Sequence, residues 1–140
     1  MGEDRLEDAD RIARKVAAEF QPVTTQLTGI GALPNERRPR IIYAGCEDPG
    51  SVLASMVDRL ERRYGRRGFR QESRKYTPHI TIARMKTPAS IVSLLTGLRP
   101  FSLSSEPFET REIVLFESQL GSGSPVYTPK GRYPLAALPG

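Results

Sequence analysis

His79 is the only histidine in the 140-residue chain, and it sits in Pro78-His79-Ile80-Thr81-Ile82-Ala83-Arg84. Apolar and β-branched residues dominate this run, which predicts a strand over 77–84. Side chains alternate between the faces of a strand, so His79 and Thr81 share one face, ~7 Å apart along it. A phosphate could lie between them, with His79 moving a proton and Thr81 donating a hydrogen bond to a phosphate oxygen. Histidine suits that task because its unperturbed pKa lies near physiological pH. The same alternation assigns Ala83 to the His79 face, and Ile80 and Ile82 to the opposite face, where a core is expected. Arg74, Lys75 and Arg84 supply positive charge nearby, and Tyr76 could stack on a base or ribose. A histidine two positions from a threonine is by itself more often structural, so the reading depends on these surroundings.

The elements that must position this strand can be read from periodicity. Leu6, Ala9, Ile12, Ala13, Val16, Ala17 and Phe20 form one helical stripe, opposed by Arg11, Arg14, Lys15 and Glu19. Gln21-Pro22 ends that helix. Residues 23–30 read as a strand, 31–39 as a turn-rich connection, and 40–45 as a buried strand closing a hairpin. Asp48-Pro49-Gly50-Ser51 starts a second helix with Leu53, Met56, Val57, Leu60 and Tyr64 on its buried face. A short helix over 88–98 should turn Ile91, Leu94, Leu95 and Leu98 inward. Residues 108–118 read as the longest strand, followed by a hairpin loop at Gly121-Ser122-Gly123-Ser124, a return strand near Tyr127 and a last strand at 133–135. Consecutive strands joined by short turns imply antiparallel pairing, and helices interleave without regular βαβ alternation. The expected class is α+β, antiparallel sheets with packed helices, in a single domain over 1–140.

Composition bounds the function classes. Apolar residues make up 38% and charged residues 26%, values of a folded globular chain rather than a disordered one. The net charge of +5 favours anionic partners, nucleic acid first among them, although charge on a small domain also serves solubility. Lys15, Lys75, Lys86 and Lys130 are the only lysines, so most of the positive charge is arginine, whose fork suits phosphate. Cys46 is the only cysteine, which excludes an intrachain disulfide and, with one histidine, argues against a protein-built zinc site. Cys46 itself reads as a small apolar filler. No apolar run approaches a membrane span and no signal-peptide core opens the chain, so a cytoplasmic location is expected. Arg62-Arg63-Tyr64-Gly65-Arg66-Arg67 is either a solvated helix end or a contact for RNA phosphates. Gly121-Ser122-Gly123-Ser124 lacks the following helix and Gly-Lys-Ser/Thr string of a phosphate loop, and no Gly-x-Ser-x-Gly elbow is present.

Tyr76-Thr77-Pro78-His79-Ile80-Thr81-Ile82-Ala83-Arg84 resembles the second signature of the 2H phosphoesterases, in particular the RNA 2′,3′-cyclic phosphodiesterase (2′-5′ RNA ligase) family. The likeness continues along the chain. Phe20-Gln21-Pro22 with Leu27-Thr28-Gly29-Ile30-Gly31 is similar to that family's helix-to-strand passage, and Pro39-Arg40-Ile41-Ile42-Tyr43-Ala44-Gly45 to its next strand. Val114-Leu115-Phe116-Glu117-Ser118-Gln119-Leu120 and Tyr127 are similar to its closing hairpin. The His-x-Thr string is unspecific, whereas the ordered set is far more specific.

The resemblance implies a two-lobed fold with two His-x-Thr motifs facing each other across a cleft. It implies hydrolysis of a terminal 2′,3′-cyclic phosphate to a 2′-phosphate, without cofactor or metal, on RNA ends or small cyclic nucleotides, with 2′-5′ ligation as an associated activity. His79 and Thr81 would be catalytic, with Arg84 and Tyr76 binding substrate. Only the second motif is found here. The family's first motif, with a strand and helix, has no counterpart, a stretch of ~30 residues by average element lengths. A start assigned at an internal Met is the preferred explanation over a true truncation. With one histidine, half of an acid–base pair worth ~10²–10⁴-fold per group is lacking, so turnover by this chain should be impaired. A monomer is expected, and a homodimer bringing two copies of His79 together is the alternative. A non-catalytic RNA- or nucleotide-binding remnant, or an enzyme for another cyclic phosphate, are the rival readings.

Overall fold

Acidic side chains crowd the first turns of the chain and basic ones follow, the order that a helix macrodipole favours. The computed structural model describes residues 3–73, 75–87, 89–98, 105–119 and 126–136. Its elements run α1 (Glu3–Ala18), β1 (Val23–Thr25), β2 (Leu27–Leu33), β3 (Ile41–Cys46), a 3₁₀ turn (Pro49–Ser51), α2 (Val52–Arg66), β4 (His79–Arg84), α3 (Val92–Leu98), β5 (Phe108–Thr110), β6 (Glu112–Gln119) and β7 (Val126–Pro134). The class is α+β, as expected. No helix among the described residues is long and apolar enough to cross a membrane.

The chain divides into two compact units. The first comprises Met1–Val23, Ser55–Arg74 and Thr110–Gly140. Here α1 packs on the antiparallel hairpin of β6 and β7. Ala9, Ile12, Ala13, Val16 and Ala17 are buried along its stripe, together with Met56, Tyr133 and Leu135. The outer face of α1 carries Arg11–Asp8 and Arg14–Asp10 pairs one turn apart. Residues 108–118 do not form one strand. The run is interrupted at Arg111 into β5 and β6, and the longest strand is β7, which absorbs the two strands expected around Tyr127 and Tyr133. The loop at Gly121–Ser124 lies outside the described residues.

The second unit comprises Thr24–Ala54 and Lys75–Glu109. Its centre is an antiparallel sheet in the order β2-β3-β4. Ala32, Ile91 and Leu95 form a buried cluster, with Ile42 and Met85 packed against it. Leu94 does not join them; it is exposed on the outer side of α3. Asp48 ties down the start of α2: its carboxylate accepts hydrogen bonds from the backbone N–H of Leu53 (2.7 Å) and Ala54 (2.9 Å), satisfying donors that a helix start leaves open. Gly50 takes a left-handed φ of 69° in the turn between them, which glycine does at no steric cost.

Candidate functional site

The motif strand lies at the edge of the three-stranded sheet, and its register decides which side chains meet. Gly45 faces His79, Ala44 faces Ile80 and Tyr43 faces Thr81; the register then slips, so that Ile42 faces Ala83 and Ile41 faces Arg84. Cross-strand partners share a sheet face. Ile41, Tyr43 and Gly45 alternate onto one face of β3, so His79, Thr81 and Arg84 lie together on that face of β4. Ala83 belongs to the other face, contrary to simple alternation, because the irregularity near Ile82 shifts the phase by one residue.

The opposite face is less covered than expected. Ile80 is 49% exposed and Ile82 57% exposed. The apolar residues around α3 reach Ala32 on β2, Ile42 on β3 and Met85 just past the end of β4, so Ile80 and Ile82 farther back along the edge strand stay uncovered.

His79 is half-buried and held on two sides. Its Nδ1 lies 2.5 Å from the carbonyl oxygen of Thr77. A carbonyl only accepts, so Nδ1 carries the proton, and in the neutral ring Nε2 presents the basic lone pair. The Tyr43 ring meets the imidazole with centroids 5.3 Å apart and planes inclined by 57°. The sheet pairing extends past the motif, where the Cys46 N–H donates to the Pro78 carbonyl at 3.0 Å.

Two glycines make room for this arrangement. A Cβ on Gly31 would come within 2.5 Å of Tyr43 Cζ, so the phenol lies over Gly31. A Cβ on Gly45, opposite His79, would lie 2.7 Å from Thr28 Oγ1. Thr28, Gly29, Gly31, Tyr43, Gly45 and Thr77 are among the residues lining an open depression of about 340 Å³ on this side of the sheet. Thr28, Tyr43 and Thr77 are its hydroxyl-bearing lining residues; His79, Thr81, Arg84 and Tyr76 are not among the lining, and His79 adjoins it through the Tyr43 ring. Neither Tyr43 nor Thr28 was expected from the sequence; glycines at 31 and 45 inside strand patterns are the signal that large side chains approach there.

Tyr76 is set differently. Its ring is 37% exposed, and burial, then the charge of Asp48, push its phenol upward from the ordinary value. Asp48 and Cys46 thus lie close enough to act on its charge. Burial also pushes the Cys46 thiol upward, away from the depressed range of activated cysteines. Arg74 lies outside the described residues.

Residues 45–127 match the family described as LigT like phosphoesterase. Among curated proteins, the RNA 2′,3′-cyclic phosphodiesterase of Methanothermobacter thermautotrophicus is 28% identical over 131 residues, covering 91% of this chain and 69% of the relative. The protein of the same name from Aeropyrum pernix is 30% identical over 115 residues, covering 81% of this chain and 65% of the relative. The chain thus spans about two thirds of the length of each. Among solved structures, a Thermus thermophilus protein is 26% identical, with a TM-score of 0.64 over 98% of this chain and 73% of its own. Escherichia coli LigT in its apo form shares the fold at a TM-score of 0.71, with 20% identity over 97% of this chain and 70% of its own.

Proposed function

The chain belongs to the LigT-like phosphoesterase family, and from that premise we propose that the His79 face takes the terminal 2′,3′-cyclic phosphate of RNA and opens it to a 2′-phosphate. The observation that carries the proposal is the shared face of His79, Thr81 and Arg84, with the His79 Nδ1–H committed to Thr77. Water attacks phosphorus in line with the 3′-oxygen. His79 Nε2 takes the proton from that water as the new P–O bond forms. The P–O3′ bond breaks, and the 3′-oxygen takes a proton from a solvent water as it departs, leaving the phosphate on the 2′-oxygen. Thr81 donates to a non-bridging oxygen, and Arg84 adds positive charge where negative charge builds up. Tyr76 is assigned to the base or ribose. A 5′-hydroxyl in place of water would break the same P–O3′ bond and give a 2′-5′ linkage, provided that a second RNA end is held in line with it.

One observation favours a second reading. The two proton transfers occur on opposite sides of phosphorus, and the chain has one imidazole. Binding of RNA ends without turnover is therefore the alternative. One assay separates them. The chain is incubated with a short RNA ending in 2′,3′-cyclic phosphate, and both affinity and the position of the product phosphate are read. The enzyme reading expects a 2′-phosphate as sole product, lost in His79→Asn. A 3′-phosphate product, or equal rates in that variant, would overturn it. Undiminished affinity with no product selects the binding reading.

A further inference from the structure

The arginine run at the end of α2 is held on a closed turn. Gly68 adopts φ of 83°, the Phe69 N–H donates to the Tyr64 carbonyl at 3.0 Å, and the Gly68 N–H to the Gly65 carbonyl at 3.1 Å. This pair of bonds, with the Tyr64 and Phe69 rings in edge contact at 5.2 Å, is a Schellman motif with its hydrophobic contact. The Gln71 side chain folds back over Gly65, where no Cβ obstructs it, and donates to the Glu61 carbonyl at 2.8 Å. The Arg5 guanidinium lies 3.9 Å above the Phe69 ring and donates to the Arg67 carbonyl at 3.3 Å.

The carbonyls that basic side chains would otherwise complement at a helix end therefore have partners already. Arg63 is committed to Glu19, and Arg62 to Asp58. Arg66, Arg67 and Arg70 are exposed and make no ion pair among the described residues. Three exposed guanidinium groups of one sign, carried on a backbone turn that is itself closed by hydrogen bonds, suit a chain of phosphates. The rings of Tyr64 and Phe69 are engaged with each other and with Arg5, so they do not serve as stacking platforms for bases.

We propose that Arg66, Arg67 and Arg70 form a docking surface for the phosphate backbone of single-stranded RNA, separate from the residues that meet the RNA end. The identity of the polyanion as RNA rests on the functional reading above. Contact is to phosphates alone, so it carries no base preference.

The test uses single-stranded RNA ending in a 3′-hydroxyl, which offers the His79 site no cyclic phosphate. Affinity is measured across a salt series for the unaltered chain, for R66Q/R67Q/R70Q, and for R11Q/R14Q/R132Q, which removes equal charge from paired arginines. Each phosphate contact on a single strand contributes ~0.7 to the slope of log K against log salt, so the first variant should lose about 2 from that slope. The control variant should keep most of it, and the loss should be the same for different base sequences. An unchanged slope in the first variant, an equal loss in the control, or binding to vesicles containing phosphatidylserine without binding to RNA would overturn the proposal. Hydrolysis of a 2′,3′-cyclic mononucleotide is measured in parallel. If the slope falls as expected but no mononucleotide is opened, the catalytic reading fails while the surface stands; if the mononucleotide is opened and the slope does not move, the reverse holds.

Discussion

Tyr43 and His79 meet ring to ring, 5.3 Å between centroids, because β3 and β4 place them on one face of the sheet. Tyr43 can lie there only because Gly31 has no side chain. Gly31→Ala should therefore push the phenol off its place and release the imidazole. The displaced atoms are the far end of a side chain, so the stability cost should be small, ~1–3 kcal/mol as for other overpacking changes. The catalytic cost should be up to ~10²-fold for a displacement near 1 Å, and it should appear at temperatures where the protein is still folded. Tyr43→Phe, which preserves the ring contact, should keep most of the activity. Comparing thermal midpoints with rates on cyclic-phosphate RNA separates these effects; equal rates in Gly31→Ala and the unaltered chain would remove Tyr43 from a positioning role.

The motif strand and the stripes of α1 and α2 were legible because they depend on local periodicity. The site face was only partly so. Alternation puts Ala83 beside Thr81, whereas the slipped pairing between Ile42 and Tyr43 brings Arg84 there instead. A register slip is a property of two strands far apart in sequence, and nothing in residues 79–84 announces it. Ile80 and Ile82 were misplaced for a related reason: apolar composition marks a strand, and only the position of that strand in the sheet decides whether anything covers it. Leu94 follows the helical stripe of Ile91 and Leu95 closely enough to be assigned inward, yet the short α3 buries a narrower face. Tyr43 was missed because its partner stands 36 positions away (79 − 43).

Glu19 joins α1 to α2 within the first unit. Its carboxylate accepts from Arg63 at 2.7 Å and lies 3.7 Å from Arg59. The hydrogen bond from Arg63 holds the Glu19 carboxyl below its ordinary value of 4.5. A depressed folded pKa stabilises the fold above the unfolded value and loses that contribution as pH falls through the folded one. Arg63 Nη1 is buried and has no hydrogen-bond partner among the described residues, so Arg63 depends on this carboxylate. Glu19→Gln, which keeps an acceptor for Arg63 and removes only the charge, should cost up to ~1 kcal/mol at neutral pH. Urea midpoints of the two proteins should converge well below pH 4.5. A difference that is constant with pH would show that the charge of Glu19 is immaterial.

The alkaline limb belongs to tyrosine. The buried Tyr133 hydroxyl donates to Asp10 Oδ1 at 2.6 Å, and the Tyr64 hydroxyl to the Ala9 carbonyl at 3.0 Å. Burial and the charge of Asp10 push both phenols from an ordinary value of 10.0 up to about 12. Raised folded values stabilise the fold fully below pH 10 and are lost as pH climbs toward 12. Tyr133→Phe should lower stability at neutral pH by only ~1 kcal/mol, since Asp10 keeps its pair with Arg14 at 3.0 Å. It should also flatten the alkaline decline. Ultraviolet titration should find Tyr64 and Tyr133 ionising late, and Tyr76 is shifted in the same direction; ionisation of Tyr64 and Tyr133 near pH 10 in the folded protein would contradict the packing of both rings.

Chemistry at the motif strand can be separated from its geometry by choosing replacements that keep one bond. Asparagine at 79 can still donate to the Thr77 carbonyl from its amide nitrogen, so His79→Asn should fold normally while losing the Nε2 lone pair. Loss of that proton transfer should lower the rate ~10²–10⁴-fold with little change in affinity for the RNA end. Thr81→Ala should lower the rate ~10²–10³-fold, as removal of one donor to a developing phosphate charge does, and Thr81→Ser should restore most of it. Serine failing to rescue would mean that the methyl group, and hence packing, is what position 81 supplies. A Thr81→Ala loss confined to KM would mean that the hydroxyl binds ground and transition states alike.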